Sequence, residues 1–130
     1  MKSFHTFRPV LLEAAGIENG FSIESYRSRG GYAPLERLLV EKKPSEVVEL
    51  VKSSGLRGRG GAGFMTGLKW TFLPKDHLGP IYLCVNADES EPGTFNNRIL
   101  MEEDPHQVLE GIIISAYATR ASTAYIYLRY

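Results

Sequence analysis

Two short stretches of the chain hold the residues whose types and spacing could do chemistry. Residues 58–63 read GRGGAG and match the pattern G-x-G-x-x-G. Residues 86–93 read NADESEPG and place three carboxylates within four positions. We call these stretches the glycine loop and the acidic loop. Dense glycine lets a backbone approach a ligand, whereas carboxylates accept hydrogen bonds or hold cations.

The surroundings of the glycine loop exclude two familiar nucleotide sites. A dinucleotide fingerprint needs a strand before the glycines and an acid about twenty residues after them. Here a helical pattern comes first, and Leu83 and Cys84 stand near the required position. A P-loop needs Lys-Ser/Thr after its last glycine, where this chain has Phe64 and Met65. Two interpretations stay open: an anion site made of backbone N–H groups, or a tight connection for helix packing.

The charges and aromatic rings around the glycine loop favour a phosphate-bearing ligand. Residues 50–75 contain five basic side chains and no acid, whereas residues 86–104 contain six acids and one arginine. Phe64, Trp70 and Phe72 follow the glycines and offer flat rings for a flavin or an adenine. The RGG triplet at residues 59–61 occurs once and has apolar neighbours, so nucleic-acid binding is not expected.

Three interpretations compete for the acidic loop: a hard metal ion, a solvated turn, or acceptors for the hydroxyl groups of a sugar or polyol. EF-hand spacing is absent, and the single cysteine, Cys84, cannot form a zinc or iron–sulfur site alone, so no metal ligand is predicted. A ligand with a phosphate at one end and a hydroxylated chain beyond it would suit both loops.

The remaining sequence predicts the elements that position these loops. Apolar spacing, capping residues and helix breakers predict helices at 22–28, 33–40, 44–54, 67–72 and 105–119. The third helix has an apolar stripe of Val47, Leu50 and Val51, and Asp104 is the predicted N-cap of the last helix. Strands are predicted at 81–85 and 123–128, with Cys84 buried in the first, and one helical turn near Arg98 is expected between them.

Strand, helix and strand in succession predict the α/β class with parallel strands, and ligands of such sheets bind beyond the carboxyl ends, where the acidic loop lies. With 43% hydrophobic and 23% charged residues the composition is that of an ordinary globular protein, and no apolar run is long enough for membrane insertion. We divide the chain into an N-terminal arm with short helices, residues 1–43, and a partial α/β domain, residues 44–130.

Four motifs together resemble a known family. GLRGRGGAGF at 55–64, TGLKW at 66–70, NADESEPGTF at 86–95 and LMEEDPH at 100–106 are similar to the flavoprotein subunit of NADH:quinone oxidoreductase, respiratory complex I. The same module occurs in the diaphorase subunits of NAD-linked hydrogenases and formate dehydrogenases. The resemblance implies a helical arm followed by the first part of a Rossmann-like FMN-binding domain.

The resemblance also implies roles for single residues. FMN would be held by Gly58, Arg59, Gly60 and Lys69 and, along the ribityl chain and ring edge, by Asn86, Asp88, Glu89 and Ser90. Phe64 and Phe72 would stack on the adenine of NADH, and Glu91 would act as the catalytic residue beside the nicotinamide. The implied reaction is hydride transfer from NADH to FMN, followed by electron transfer to iron–sulfur clusters.

The chain departs from the family pattern in three ways, one of which is Met65 where a small residue or a proline is usual. Phe95 is followed by Asn96-Asn97-Arg98, where the family usually has Lys-Asp-Arg. The family also continues beyond the second strand and carries the cysteine ligands of a 4Fe-4S cluster, which are absent here, so a truncated or inactive fragment is one alternative. The implied partners are other peripheral-arm subunits, including an iron–sulfur subunit. The implied location is cytoplasmic and peripheral to the inner membrane, in preference to the mitochondrial matrix.

Overall fold

The computed structural model describes residues 10–129. In chain order they form α1 (Ile23–Ser28), α2 (Ala33–Glu41), α3 (Pro44–Ser53), α4 (Thr66–Trp70), β1 (Tyr82–Ala87), α5 (Asn96–Glu103), α6 (Pro105–Thr119) and β2 (Thr123–Leu128). The predicted α/β class is therefore confirmed. The domain boundary at residue 43 stays a prediction, and residues 1–9 of the arm, with Tyr130, lie outside the described residues.

Local capping explains where most helices begin. The Ser22 hydroxyl accepts a hydrogen bond from the Ser25 amide, 3.1 Å away, and α1 starts at the next residue. Pro44 opens α3, where the Glu46 carboxylate accepts from the Lys43 amide at 2.7 Å. The Asp104 carboxylate accepts from the Gln107 amide at 3.4 Å and caps α6, as predicted.

The two strands pair in parallel, which confirms the predicted topology. Tyr82 lies opposite Thr123, and the register runs without a break to Ala87 opposite Leu128. The crossover between them contains α5 and α6, and α6 contacts both strands. The acidic loop follows β1 directly, so it lies at the carboxyl end of the sheet.

The structure corrects three expectations. β1 occupies 82–87 rather than 81–85, and Cys84 is exposed rather than buried. The reason is that β1 alternates: Leu83, Val85 and Ala87 are at least partly buried, while the opposite face is not covered within residues 10–129. The single turn expected near Arg98 is a helix of eight residues, α5.

The apolar core lies where α3 packs against α4 and α6. Val47 is almost fully buried, as its predicted stripe requires, but Leu50 of the same stripe is 57% exposed. Close packing of α3 on α4 depends on Gly67, because a Cβ there would lie 2.3 Å from the Lys52 backbone nitrogen. This contact fixes α4, which separates the two aromatic residues predicted to bind NADH.

A second interior region is polar and joins the arm to α6. The Tyr26 hydroxyl donates to Glu110 Oε2, and the Glu110 carboxylate also accepts from the amides of Tyr32 (3.0 Å) and Leu35 (3.2 Å). Arg29 pairs with Asp104 at 3.3 Å. We call this group the buried polar cluster; its side chains are those of Tyr26, Arg29, Tyr32, Asp104, His106 and Glu110.

Candidate functional site

The glycine loop is closed at its base by backbone hydrogen bonds. Gly55, with φ +70°, turns the chain out of α3, and the Thr66 amide then donates to the Leu56 carbonyl at 2.9 Å. The Gly58 amide donates to the Phe64 carbonyl, also at 2.9 Å. The Arg57 guanidinium donates to the Gly63 carbonyl at 3.0 Å and braces the loop from within. The glycines are therefore held on a fixed base and are exposed at the tip.

The tip of the loop leaves its backbone open to close approach by another group. A Cβ built on Gly60 or Gly61 would meet no atom within 4 Å, so the backbone there faces open space. Gly63 has φ +66°, a conformation that other residues rarely adopt. The connection to α4 thus needs glycine at 63 for its backbone, whereas packing does not explain the glycines at 60 and 61. Of the two open interpretations, this favours close approach of a ligand over helix packing.

Two cations near the loop are free to meet such a ligand. Arg59 at the tip and Lys69 on α4 are both exposed. Among residues 10–129 neither side chain forms a hydrogen bond or an ion pair. Arg57, by contrast, is engaged with the loop itself. Free guanidinium and ammonium groups are suited to phosphate.

Phe64 and Phe72 are brought together, as their shared predicted role requires. They flank α4, and their ring centroids lie 6.0 Å apart at an angle of 54°. Both rings are largely exposed, at 50% and 65%. Two adjoining aromatic faces in water form a surface on which a nucleobase can stack.

The acidic loop is organised by its own side chains. The Asn86 amide oxygen accepts from the Asp88 amide at 3.0 Å, and the Ser90 hydroxyl lies 2.8 and 2.7 Å from the two Asp88 oxygens. Hydrogen bonds therefore link three of the residues predicted to contact the ribityl chain. Their side chains place oxygen acceptors at the carboxyl end of β1, which suits hydroxyl groups.

Glu89, predicted to belong with these residues, points elsewhere. Its two carboxylate oxygens accept from the backbone amides of Asn97 (2.6 Å) and Arg98 (3.1 Å). The capping of α5 by Glu89 was not predicted from the sequence. The one available signal is Phe95, which precedes α5 and has no side-chain acceptor, so that the cap must come from another residue.

Glu91 is the acid of the loop whose carboxylate has no partner among the described residues. It is exposed, and only its backbone carbonyl is engaged, by the Thr94 amide at 3.1 Å. Gly93, with φ +82°, makes the turn that follows. A carboxylate displayed in this way is available to a ligand.

No hydrogen bond, ion pair or ring contact joins the glycine loop to the acidic loop within residues 10–129. Each loop is built separately, on α3–α4 and on β1–α5. The same part of the chain holds no cluster of histidine, cysteine, aspartate and glutamate suited to a metal ion. It also holds no helix long and apolar enough to cross a bilayer.

The buried polar cluster raises the pKa values of two tyrosine hydroxyl groups. Burial raises the pKa of the Tyr26 hydroxyl well above its ordinary value near 10, and the hydrogen bond to Glu110 raises it further. Burial, followed by the Glu110 charge, also raises the pKa of Tyr32, against a smaller opposing effect of Arg27. Both hydroxyl groups stay neutral at physiological pH, which suits a structural cluster.

The sequence of the chain matches one family model and several known proteins. Residues 51–130 match the family model described as the Nuo51 FMN-binding domain. A second form of the NADH-quinone oxidoreductase F subunit, from Rhizobium meliloti (strain 1021), is 57% identical over 123 residues, which are 95% of this chain and 29% of that protein. The F subunit of the same enzyme from Escherichia coli (strain K12) is 52% identical over 108 residues, 82% of this chain and 24% of that protein.

The fold of the chain is also similar to part of a solved structure. The NAD+-reducing [NiFe]-hydrogenase in its H2-reduced state aligns with a TM-score of 0.61 and 38% identity over 74% of this chain and 19% of the hydrogenase chain. The chain spans less than a third of the length of the two curated relatives. The family model covers more than half of the chain, including the glycine loop, the acidic loop, Phe64 and Phe72. The chain therefore belongs to the Nuo51 FMN-binding-domain family, together with the F subunits of NADH-quinone oxidoreductases.

Proposed function

We propose that this chain contributes the first part of an NADH-oxidising flavoprotein site. The observation that carries the proposal is the placement of an open glycine tip, two free cations and an exposed phenylalanine pair around one short helix, α4. Such a surface offers phosphate recognition and base stacking side by side. Membership of a family described by FMN binding supports the same conclusion.

FMN fits the residues present. Gly60, Arg59 and Lys69 would hold its phosphate, because the loop tip gives close backbone approach and the two cations have no other partner among the described residues. Gly58, whose own amide is bonded to the Phe64 carbonyl, would support the loop from its base. The side-chain oxygens of Asn86, Asp88 and Ser90 would accept from the ribityl hydroxyl groups. Bound FMN would supply the acceptor for the hydride of NADH and would release electrons singly.

NADH would be bound at two points. The Phe64–Phe72 pair would stack on the adenine and orient the dinucleotide. The free Glu91 carboxylate would lie beside the nicotinamide, where its negative charge favours the cationic ring of NAD+ over the neutral ring of NADH. Glu91 would thereby assist product formation as the catalytic residue in contact with the substrate.

Electron removal requires partners. We propose that electrons from NADH pass to iron–sulfur clusters in the peripheral arm of a respiratory NADH:quinone oxidoreductase, on the cytoplasmic side of the inner membrane. This proposal rests on the similarity to the F subunits of that enzyme. The alternative is a diaphorase of an NAD-linked hydrogenase or formate dehydrogenase. It is favoured by the structural match to an NAD+-reducing [NiFe]-hydrogenase.

The test is flavin binding by the chain, purified with the subunits that accompany it. We expect one FMN per chain, NADH oxidation with ferricyanide, and weaker binding of riboflavin, which lacks the phosphate. Arg59→Ala should reduce the preference for FMN over riboflavin, whereas Arg37→Ala, an exposed cation on α2, should not. Equal affinity for FMN and riboflavin in the wild type would contradict phosphate recognition by the glycine loop. The identity of the copurifying subunits separates the respiratory complex from a hydrogenase.

A further inference from the structure

The helix α5 lacks a cap of its own. Its N-cap position is Phe95, with φ −150° and ψ 17°, and this side chain has no atom that could accept a hydrogen bond. The first turn contains no acid, although a negative charge there would stabilise the helix dipole. It contains Arg98 instead, whose guanidinium is drawn along the helix to Glu102 at 2.8 Å. The sequence of α5 therefore does not explain why the helix begins where it does.

Glu89, which lies outside α5, supplies the missing hydrogen-bond acceptor and the missing negative charge. Its oxygens accept from the amides of Asn97 and Arg98, the second and third residues of α5. These are the amides that an N-cap side chain normally satisfies. The carboxylate also places a negative charge at the positive end of the helix. Both the hydrogen bonds and the charge that Phe95 cannot give thus come from a residue six positions earlier.

We propose that Glu89 is a positioning residue: a remote cap that ties the acidic loop to α5 and so presents Glu91 and Asp88 to the ligand. The inference rests on the proposed function, since it assigns a task to one residue of that same site. It replaces the flavin contact expected for Glu89 with an indirect role, because both of its oxygens already face backbone amides.

The loop geometry shows how the cap acts on its neighbours. Residues 90–96 lie between Glu89, which follows β1, and the first turn of α5, and the hydrogen bonds of Glu89 join the two ends of this segment. Inside this closed segment Gly93 turns the chain, and the Thr94 amide donates to the Glu91 carbonyl. The Glu91 side chain leaves from the middle of the segment. Its position therefore depends on the two hydrogen bonds that Glu89 makes.

The acids of the loop accordingly divide their tasks. Asp88 accepts from Ser90, Glu89 holds α5, and Glu91 alone among these described residues is left with a free carboxylate. Three chemically similar residues within four positions thus differ in what they can offer a ligand. Only two of them are expected to touch FMN or NADH.

The test combines amide exchange with flavin affinity, both measured on the chain with its accompanying subunits. Glu89→Ala should speed exchange in the first turn of α5 by about tenfold, since two capped amides lose their acceptor. Glu89→Gln keeps one acceptor oxygen and should lie between the wild type and Glu89→Ala. The same order should appear in FMN affinity. Glu91→Gln, two residues away with the same loss of charge, should leave exchange in α5 unchanged.

Two results would overturn the inference. Unchanged α5 exchange in Glu89→Ala would show that the carboxylate does not cap the helix. Reduced FMN affinity with unchanged exchange would show that Glu89 contacts the flavin directly. If Glu89→Ala does not fold, amide exchange and FMN affinity measured on Glu89→Gln decide whether Glu89 caps α5 and whether it contacts the flavin. If the wild type binds no FMN, the proposed function fails, and the exchange series still decides whether Glu89 fixes the loop.

Discussion

Glu110 and Glu91 show the same side chain used in opposite ways. Glu110 is 6% exposed, and its carboxylate accepts three hydrogen bonds within the buried polar cluster. Glu91 is exposed, and its carboxylate has no partner among residues 10–129. A buried carboxylate must be fully satisfied, because an unpaired polar group in the interior is costly. Regions whose charges are all paired hold the fold, and regions that leave charges unpaired are where ligands are expected.

The glycines divide in the same manner. Gly67 lies between α3 and α4, where any Cβ would meet the Lys52 backbone. Gly60 lies at an open tip, where a Cβ would meet nothing. The first glycine is required by the protein itself, and the second has no structural requirement within the described residues. The comparison between buried and exposed members of each residue type can be tested by substitution.

The largest effect should come from Glu110→Leu. It leaves the Tyr26 hydroxyl and the amides of Tyr32 and Leu35 buried without an acceptor. We expect the free energy of unfolding to fall by about 3 kcal/mol. Urea denaturation followed by circular dichroism measures it. The control is Glu102→Leu on the exposed side of α5, where the change should stay within about 0.5 kcal/mol. Similar losses for both variants would remove the distinction between the two regions.

Substitution of Gly67 and of Gly60 by valine should separate an effect on folding stability from an effect on FMN binding. Gly67→Val forces α3 and α4 apart and should lower the free energy of unfolding by about 1 to 3 kcal/mol. Gly60→Val should leave unfolding unchanged but weaken FMN at least about tenfold, roughly 1.4 kcal/mol, because the side chain occupies the space of the ligand. Each variant is the control for the other. Retention of FMN by folded Gly60→Val would contradict the assignment of the glycine loop.

Alkaline pH should weaken the buried polar cluster. The pKa of Tyr26 is raised in the folded chain, so between pH 10 and that higher value the unfolded chain loses a proton that the folded chain keeps. Stability from this source is complete below the unfolded pKa and declines as the pH rises above about 10. Urea midpoints measured from pH 8 to 11 should fall in the wild type. Tyr26→Phe should reduce that slope, and Tyr82→Phe, on the exposed face of β1, should not.

The sequence allowed the fold to be predicted wherever its causes are local. Ser22, Pro44 and Asp104 begin helices with their own side chains, and those helices were located to within about one residue. The start of α5 depends on Glu89, which lies outside the helix, and only one turn was expected there. Tyr26 and Glu110 are 84 positions apart, so no local pattern contains their contact.

The candidate site shows the same division. The ligand chemistry expected of both loops rests on their composition, since glycines, cations and acids differ in what they can bind, and it stays a prediction. The shared role of Phe64 and Phe72 was implied only by the family resemblance; the structure places their rings 6.0 Å apart, on either side of α4. The tasks within the acidic loop did not follow, because three carboxylates look alike until their partners are known. Glu89 and Glu91 differ only in what surrounds them.

The smallest effect should come from removing the free charge, with Glu91→Gln. An exposed carboxylate is screened by water, so its attraction for the cationic nicotinamide of NAD+ is worth only about a twofold to fivefold change in affinity. We expect the inhibition constant for NAD+ to rise by that factor, the Michaelis constant for NADH to change less, and FMN content to stay constant. The difference should shrink as salt is added. Glu103→Gln removes an equal charge from the exposed end of α5 and should change none of these quantities. Loss of flavin with unaltered NAD+ inhibition would place Glu91 at the flavin instead and would remove its assignment as the catalytic residue.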